Sequence, residues 1–153
     1  MIRYQHGEDA ALGGVDITIC LTPQEAAALR GDTSHLADWF DCLLYALTLL
    51  RTGRSTRTKV MTNVAGHPER DITLEDLHTL INSLDQGLPP RLQGTRDSLV
   101  RLHHHMGGTL NQLATAMGVS KSTAQSRRNV LTKAPRGIWE TWAIKGAHRR
   151  AKP

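Results

Sequence analysis

Apolar residues recur at steps of three and four along most of this chain, a spacing that predicts helices. The longest run begins at Asp32 or Thr33, either of which we expect to cap the helix, and it ends at Leu50. The stripe that should face the core consists of Leu36, Trp39, Phe40, Leu43, Leu44, Leu47 and Leu50. The pattern therefore predicts one long core helix in the first third of the chain.

Two shorter helices in the first half are predicted from their caps. The segment TPQE at 22–25 has the spacing of a capping box with proline in the first turn, which opens a helix through about Leu29. Thr73 caps a second helix over residues 74–86, and Gly87 ends it. The apolar stripe of that second helix comprises Leu74, Leu77, Leu80, Ile81 and Leu84.

Alternating apolar and polar residues predict two short strands, VDITICL at 15–21 and KVMTNV at 59–64. We expect the two strands to pair and to form a short two-stranded β element near the N-terminus, beside the helices. A basic loop, 51–59, precedes the second strand. Its cations either reach a phosphate or stay in solvent, and they are Arg51, Arg54, Arg57 and Lys59.

The second half is expected to be helical throughout. Pro89 and Pro90 mark the joint between the halves, and Gly107 with Gly108 interrupts the pattern. The expected helices span residues 95–106, 109–117, 120–133 and 137–144, and a basic tail follows. Aromatic residues make up 4% of the chain, while alanine and leucine are frequent, which favours a mainly α domain.

Charge separates the same two halves. Residues 1–85 carry 7 Lys and Arg against 12 Asp and Glu, a formal charge of −5, whereas residues 86–153 carry 12 against 2, a formal charge of +10. We therefore divide the chain into an acidic N-terminal helical region, 1–88, and a basic region, 89–153. Such a basic region suits a partner that carries phosphate, nucleic acid or anionic lipid, and the alternative is a solvated face without a partner.

Length and cysteine content exclude several classes of protein. A chain of 153 residues has no room for a second large catalytic domain. Cys20 and Cys42 are too few for a disulfide scaffold and lack the spacing of metal ligands, so we expect buried thiols in a reducing cytoplasm. The N-terminus lacks the pattern of a signal peptide and no long apolar run occurs, so we expect no membrane partner.

The segment LATAMGVSKSTA at 113–124 has the spacing of two short helices that cross steeply at a tight turn. Ala114 is small enough for a close crossing, and Gly118 allows a left-handed backbone at the turn. Val119 would fill the angle between the helices, and Ala124 would point back inward. The second helix would then present a polar side to its surroundings.

These residues resemble the helix-turn-helix superfamily of bacterial DNA-binding transcriptional regulators, whose common pattern is Leu-Ala, three further residues, Gly-Val-Ser and a Thr shortly after. The resemblance covers residues 108–132 and identifies no subfamily. One position departs from it, because the family usually has an apolar side chain where this chain has Arg127. Either the stem of Arg127 packs while its guanidinium reaches solvent, or the second helix is rotated. Leu131 partly restores the inner stripe.

The resemblance implies that residues 120–129 form a recognition helix in the major groove of double-stranded DNA. Base contacts are expected from Ser122, Gln125 and Asn129, since Asn and Gln pair bidentately with adenine. Phosphate contacts are expected mostly from Ser120, Lys121, Arg128 and Lys133. The full set of predicted DNA-binding residues is Thr109, Ser120, Lys121, Ser122, Thr123, Gln125, Ser126, Arg128, Asn129 and Lys133.

Three-helix units of this type also bind proteins or persist inside enzymes without any role in DNA binding. Charge favours DNA here, because no acidic residue lies between Arg101 and Arg136. A surface that faces a duplex must exclude carboxylates, since each would lie near a phosphate.

Other candidate chemistry is weaker. Consecutive helical residues point about 100° apart, so His103, His104 and His105 cannot converge on one ion, and we expect no metal and no cofactor. Trp139 and Trp142 have the spacing of a helix that packs over the module or against another subunit, rather than of a nucleotide-stacking platform. No phosphate loop, nucleophile elbow or paired-carboxylate frame occurs, and we expect no enzyme activity.

The front region also has a resemblance of its own. The strand at 15–21 followed by LTPQEAAALR resembles the start of ribbon-helix-helix repressors, in which such a strand pairs with its twin across a dimer. The acidic region is therefore expected to supply dimerisation, because helix-turn-helix proteins usually bind paired half-sites.

Together these features predict a mainly α, multi-helix domain with a C-terminal helix-turn-helix. The predicted function is that of a cytoplasmic, homodimeric, sequence-specific transcriptional regulator, in particular a repressor. The alternative is an accessory DNA-binding protein in the maintenance, partition or replication of a plasmid or mobile element. A small-molecule effector would need a pocket between the leucine-rich helices of the front region, and the sequence does not specify its chemistry.

Overall fold

The computed structural model describes residues 2–5, 16–55, 57 and 69–146 and is mainly helical, which confirms the predicted fold class at that level. The elements in chain order are β1 Ile2–Gln5, β2 Asp16–Ile19, α1 Pro23–Leu29, α2 Asp32–Thr52, α3 Leu74–Asn82, a π-helical turn Ser83–Gly87, α4 Leu88–His105, α5 Leu110–Met117, α6 Lys121–Lys133 and α7 Ile138–Lys145. Within the described ranges, no helix combines the length and the apolar character needed to cross a membrane.

The two strands form an antiparallel pair at the start of the chain, with Ile2 opposite Ile19. The strand predicted at 15–21 is present, but it pairs with β1, to which the sequence analysis assigned no structure. The other predicted strand, 59–64, lies outside the described residues. Strand β2 therefore has a partner within its own chain, which the ribbon-helix-helix resemblance did not predict.

Helix α2 buries a different side from the one predicted. Its buried apolar side chains, which join Leu80 of α3 in one core cluster, are Cys42, Tyr45, Ala46 and Leu49. Four members of the predicted stripe are instead 44%, 49%, 38% and 75% exposed, namely Phe40, Leu44, Leu47 and Leu50. Leucine and other apolar residues surround most of α2, so their periodicity alone cannot select the side that packs.

Charged contacts of the basic loop help to select the buried side of α2. The Arg57 guanidinium donates two hydrogen bonds to Asp41, at 2.6 and 2.8 Å, and lies 4.3 Å from the ring centroid of Tyr45. Arg54 forms an ion pair with Asp71. Arg57 therefore fits neither expectation, because it is mostly buried and joins parts of the front region, whereas Arg54 remains exposed to solvent while it pairs with an exposed carboxylate.

At the joint between the two regions, helical elements follow one another without an intervening loop. Helix α3 ends at Asn82, the π-helical turn follows, and α4 begins at Leu88, earlier than the predicted start at residue 95. Pro89 and Pro90 lie in the first turn of α4, where a missing N–H leaves no hydrogen bond unmade. The proline pair thus begins a helix and does not interrupt one.

Three tryptophans surround Arg91 at this joint, and they are all the tryptophans of the chain. The Arg91 guanidinium carbon lies 4.0 Å from the ring centroid of Trp39, 4.2 Å from that of Trp139 and 5.6 Å from that of Trp142. Burial lowers the pKa of Arg91, and its Nη1 donates to the Gly87 carbonyl at 2.6 Å. Trp139 and Trp142 therefore have the packing role that their spacing predicted.

Candidate nucleic-acid interface

Helices α5 and α6 are joined by a tight turn. Thr109 caps α5, because its hydroxyl oxygen accepts the Gln112 N–H at 3.3 Å and the Gln112 side chain accepts the Thr109 N–H at 2.9 Å. Gly118 ends α5 with φ 63° and ψ 34°, a left-handed backbone that glycine adopts without a steric penalty. The Val119 N–H then donates to the Ala114 carbonyl at 3.1 Å. The turn therefore uses the small residues that the sequence pattern singled out.

A small apolar core lies beneath this turn. Val100 of α4, Leu113 and Ala114 of α5 and Ala124 of α6 form its buried centre, and Ala124 is 0% exposed. Met117, Val119 and Leu131 pack around them. Two of these buried side chains are alanines, and their small size allows the helices to approach closely. The inward side of α6 is thereby fixed, and its opposite side faces away from the chain.

The start of α6 is stabilised by hydroxyl groups. The Ser120 oxygen accepts the Thr123 N–H at 3.2 Å, and it lies 2.9 Å from the hydroxyl oxygens of both Ser122 and Thr123. These three predicted site residues are exposed and lie at the start of α6, and each takes part in local hydrogen bonds. Thr109 is also exposed but lies at the start of α5, away from the turn. Capping of a helix occupies one acceptor of a hydroxyl and leaves others available.

The outer face of α6 carries the remaining predicted site residues. Five of them are exposed and have side chains that make no hydrogen bond or ion pair with any described residue, namely Lys121, Gln125, Ser126, Asn129 and Lys133. We call this set the outer face of α6. Val130 lies among them and is 65% exposed, although the sequence analysis did not single it out.

Arg128 does not project outward as predicted. It is half-buried, since it follows Ala124 by one helical turn and lies on the same side of α6. Arg127 is also half-buried. Of the two alternatives for Arg127, a rotated helix does not fit, because Ala124 and Leu131 both face the core.

The two carboxylates of the basic region are held away from α6. Asp97 pairs with the neighbouring Arg96 at 3.0 Å, and buried Glu140 accepts a hydrogen bond from Arg101 at 2.6 Å. Burial raises the pKa of Glu140, but the hydrogen bonds from Arg101 and from the Gly137 N–H outweigh it, so that the pKa is lowered.

Arg101 also holds the loop that follows α6. Its Nη2 donates to the carbonyls of Ala134 and Pro135, at 3.0 and 3.3 Å. The sequence analysis missed this residue, although one signal was present: Glu140 is one of only two acidic residues after residue 85. An isolated acid in a basic region needs a cation close by if it is buried.

The histidine run contributes packing at the preceding turn. His103 is half-buried, and its ring occupies the space where a side chain at Gly108 would lie. His104 and His105 are exposed. Among the described residues, no group of three or more His, Cys, Asp or Glu is placed to hold a metal ion.

The chemistry available on α6 is that of amides, hydroxyls and ammonium groups on a convex surface. Amides both donate and accept hydrogen bonds, and ammonium groups attract anions, so this face complements base edges flanked by phosphates. It offers no nucleophile with an adjacent base. Comparison of the chain with protein-family models, with curated proteins and with solved structures finds no match.

Proposed function

We propose that this chain is a sequence-specific DNA-binding transcriptional regulator in which α5 and α6 form a helix-turn-helix. The observation that carries the proposal is the uncovered outer face of α6, whose polar side chains have no partner among the described residues. Exposed amide, hydroxyl and ammonium groups with unused donors and acceptors are available to a partner. The absence of any acidic residue on α6 fits a partner rich in phosphate.

The residues of the outer face differ in side-chain length and chemistry, and we assign them to bases or to phosphates accordingly. Gln125 and Asn129 are one helical turn apart and would read adjacent bases, while Ser122 precedes them near the N-terminus of α6. Lys121 and Lys133 lie at the two ends of α6 and would contact phosphates on either side of the groove.

A homodimer is part of this proposal, since a second half-site increases both affinity and specificity. The exposed side of α2 suits such a contact. Apolar residues on this side follow the alternating four- and three-residue steps of a helix-pairing seam, namely Leu36, Phe40, Leu43, Leu47 and Leu50, of which Leu36 and Leu43 are partly buried. A dimer bound at a promoter would repress by blocking polymerase.

The dimer is tested by measuring molar mass with multi-angle light scattering. We expect the wild type to have twice the mass of the monomer and the double variant Leu47→Glu, Leu50→Glu to be monomeric. Leu74→Glu on α3 is the control, because Leu74 is 71% exposed and lies outside the seam. A wild-type monomer at high concentration, or a seam variant that still dimerises, would contradict this assignment.

The regulator itself is tested by selecting duplexes from a random pool and measuring affinity at several salt concentrations. Log affinity should fall by about 0.9 for each unit of log salt and each neutralised phosphate. Gln125→Ala should weaken discrimination at one position by about tenfold, the effect of losing about 1–3 kcal/mol from a bidentate pair. Lys133→Ala should lower affinity for all sequences alike.

Two results would decide against the proposal. Equal affinity for selected and random duplexes would leave only sequence-independent binding, and no binding at low salt would exclude a DNA partner. The genomic position of the selected sites separates the two regulatory roles. A site at a promoter supports a repressor, whereas an iterated array at an origin supports plasmid or mobile-element maintenance.

A further inference from the structure

A groove of about 520 Å³ lies between α4 and α7. Its floor is apolar and includes Leu99, Leu102, Ala143 and Ile144. Leu99 is 59% exposed, and Leu102 and Ile144 are each 51% exposed. This volume is within the range of small-molecule sites, about 300–1,000 Å³. The expected effector pocket was in the front region, whereas this groove belongs to the basic region.

Polar side chains lie at the edge of the groove. Arg136 and His105 line it, both are exposed, and neither makes a hydrogen bond or ion pair with a described residue. Arg101 also lines it, but its guanidinium is committed to Glu140. Glu140 is close enough to Arg136 for the Arg136 charge to help lower the pKa of Glu140, but its oxygens are held by Arg101 and by the Gly137 N–H at 2.9 Å. The N–H donors of the Arg136 guanidinium are therefore unused among the described residues.

An apolar floor beside a guanidinium whose N–H donors are unused among the described residues selects a particular kind of ligand. We infer that the groove binds an amphiphilic carboxylate, with an acyl chain or aromatic ring on Leu99 and Leu102 and the carboxylate on Arg136. Arginine is suited to the carboxylate, since its guanidinium donates two parallel hydrogen bonds. A second copy of the chain fits less well, because two such grooves would bring Arg136 against a like charge.

The groove is connected to α6 through the loop that holds Arg136. Arg101 binds the carbonyls of Ala134 and Pro135 in this loop, immediately after the end of α6. A ligand that draws Arg136 toward the groove would shift the loop and with it the C-terminal turn of α6. This regulatory part rests on the proposed DNA-binding function, whereas binding of the carboxylate does not.

The test is calorimetric titration of the full chain, without DNA, with octanoate, 1-octanol and octylammonium. We expect saturable binding of one octanoate per chain and at least tenfold weaker binding of the alcohol and the amine. Arg136→Gln should reduce octanoate affinity about tenfold, and Leu102→Gln should also reduce it. Arg51→Gln on α2 is the matched control, since Arg51 is an exposed arginine far along the chain from the groove.

Several results would overturn the inference. These are no saturable octanoate binding, equal affinity for octanol, or an Arg136→Gln variant that binds like the wild type. A lower molar mass of Leu102→Gln in light scattering would assign the groove to a second copy instead. Octanoate binding in a chain that fails to bind DNA would leave the site intact and remove only its regulatory role.

Discussion

The front region and α6 use their polar side chains in opposite ways. In the front region Arg57 pairs with Asp41, and Arg70 makes a bidentate pair with Asp76, whose pKa is held well below its usual range by those hydrogen bonds. On the outer face of α6, no lysine or amide has a partner among the described residues. Paired charges hold loops and helices together, whereas a row of unpaired polar groups is available to another molecule.

The largest predicted effect is on stability, and it distinguishes the packed side of α2 from its exposed side. Leu49 is 2% exposed and Leu50 is 75% exposed. Leu49→Ala should reduce the free energy of unfolding by about 2–5 kcal/mol, because it leaves a cavity, and Leu50→Ala should change it by less than about 0.5 kcal/mol. Urea denaturation at a concentration where the protein is monomeric measures both. A larger loss of stability for Leu50→Ala than for Leu49→Ala would mean that the predicted stripe of α2 faces the core after all.

Next in size is the contact that holds α4 to α7. Glu140→Gln should cost about 1.5–3 kcal/mol at neutral pH, since it weakens a hydrogen bond between charged groups. The lowered pKa of Glu140 means that this contribution is complete above the unfolded value, about 4.3, and is lost as pH falls through the folded value. The difference between wild type and variant should therefore shrink on acidification. A difference independent of pH would contradict the assignment.

A somewhat smaller effect is expected from overpacking beneath the turn. Ala124 is 0% exposed, so Ala124→Leu should destabilise the chain by about 1–3 kcal/mol and displace α6 from α5. Gln125→Leu on the adjacent position is the control and should change stability by less than about 0.5 kcal/mol. Thermal unfolding followed by circular dichroism measures both variants. Equal losses would mean that the outer face is covered in solution.

The smallest effect separates a cap from a DNA contact at Thr109. Thr109→Ala should cost about 1 kcal/mol by removing the cap of α5. Thr109→Asp keeps a capping oxygen but adds a negative charge, so it should preserve stability and lower affinity for DNA. Denaturation and DNA titration of both variants test this. Unchanged DNA affinity in Thr109→Asp would remove Thr109 from the predicted interface.

Local signals in the sequence were sufficient for much of the fold. The capping box at Thr22 and the cap at Thr73 correctly predicted the starts of α1 and α3, because a cap depends on residues only three positions apart. The turn after α5 was predicted for the same reason, from Gly118 and its small neighbours. The inward position predicted for Ala124 then indicated which side chains of α6 would be exposed.

Contacts between residues far apart in sequence were not predictable in this way. The core side of α2 depends on Tyr45 and its contact with Arg57, and the start of α4 depends on how Arg91 packs. Arg128 was placed outward because the sequence pattern gave the direction of α6 only approximately. Hydrophobic spacing and composition do not contain this information, because it depends on how helices and loops pack against one another.

The cluster around Arg91 gives the protein a natural optical label. Because Trp39, Trp139 and Trp142 all lie there, the tryptophan emission originates from this one site between the acidic and basic regions. A shift in emission wavelength would signal that these regions have moved relative to each other. Binding events confined to α6 would leave the spectrum unaltered, so local and long-range responses can be told apart without attaching a dye.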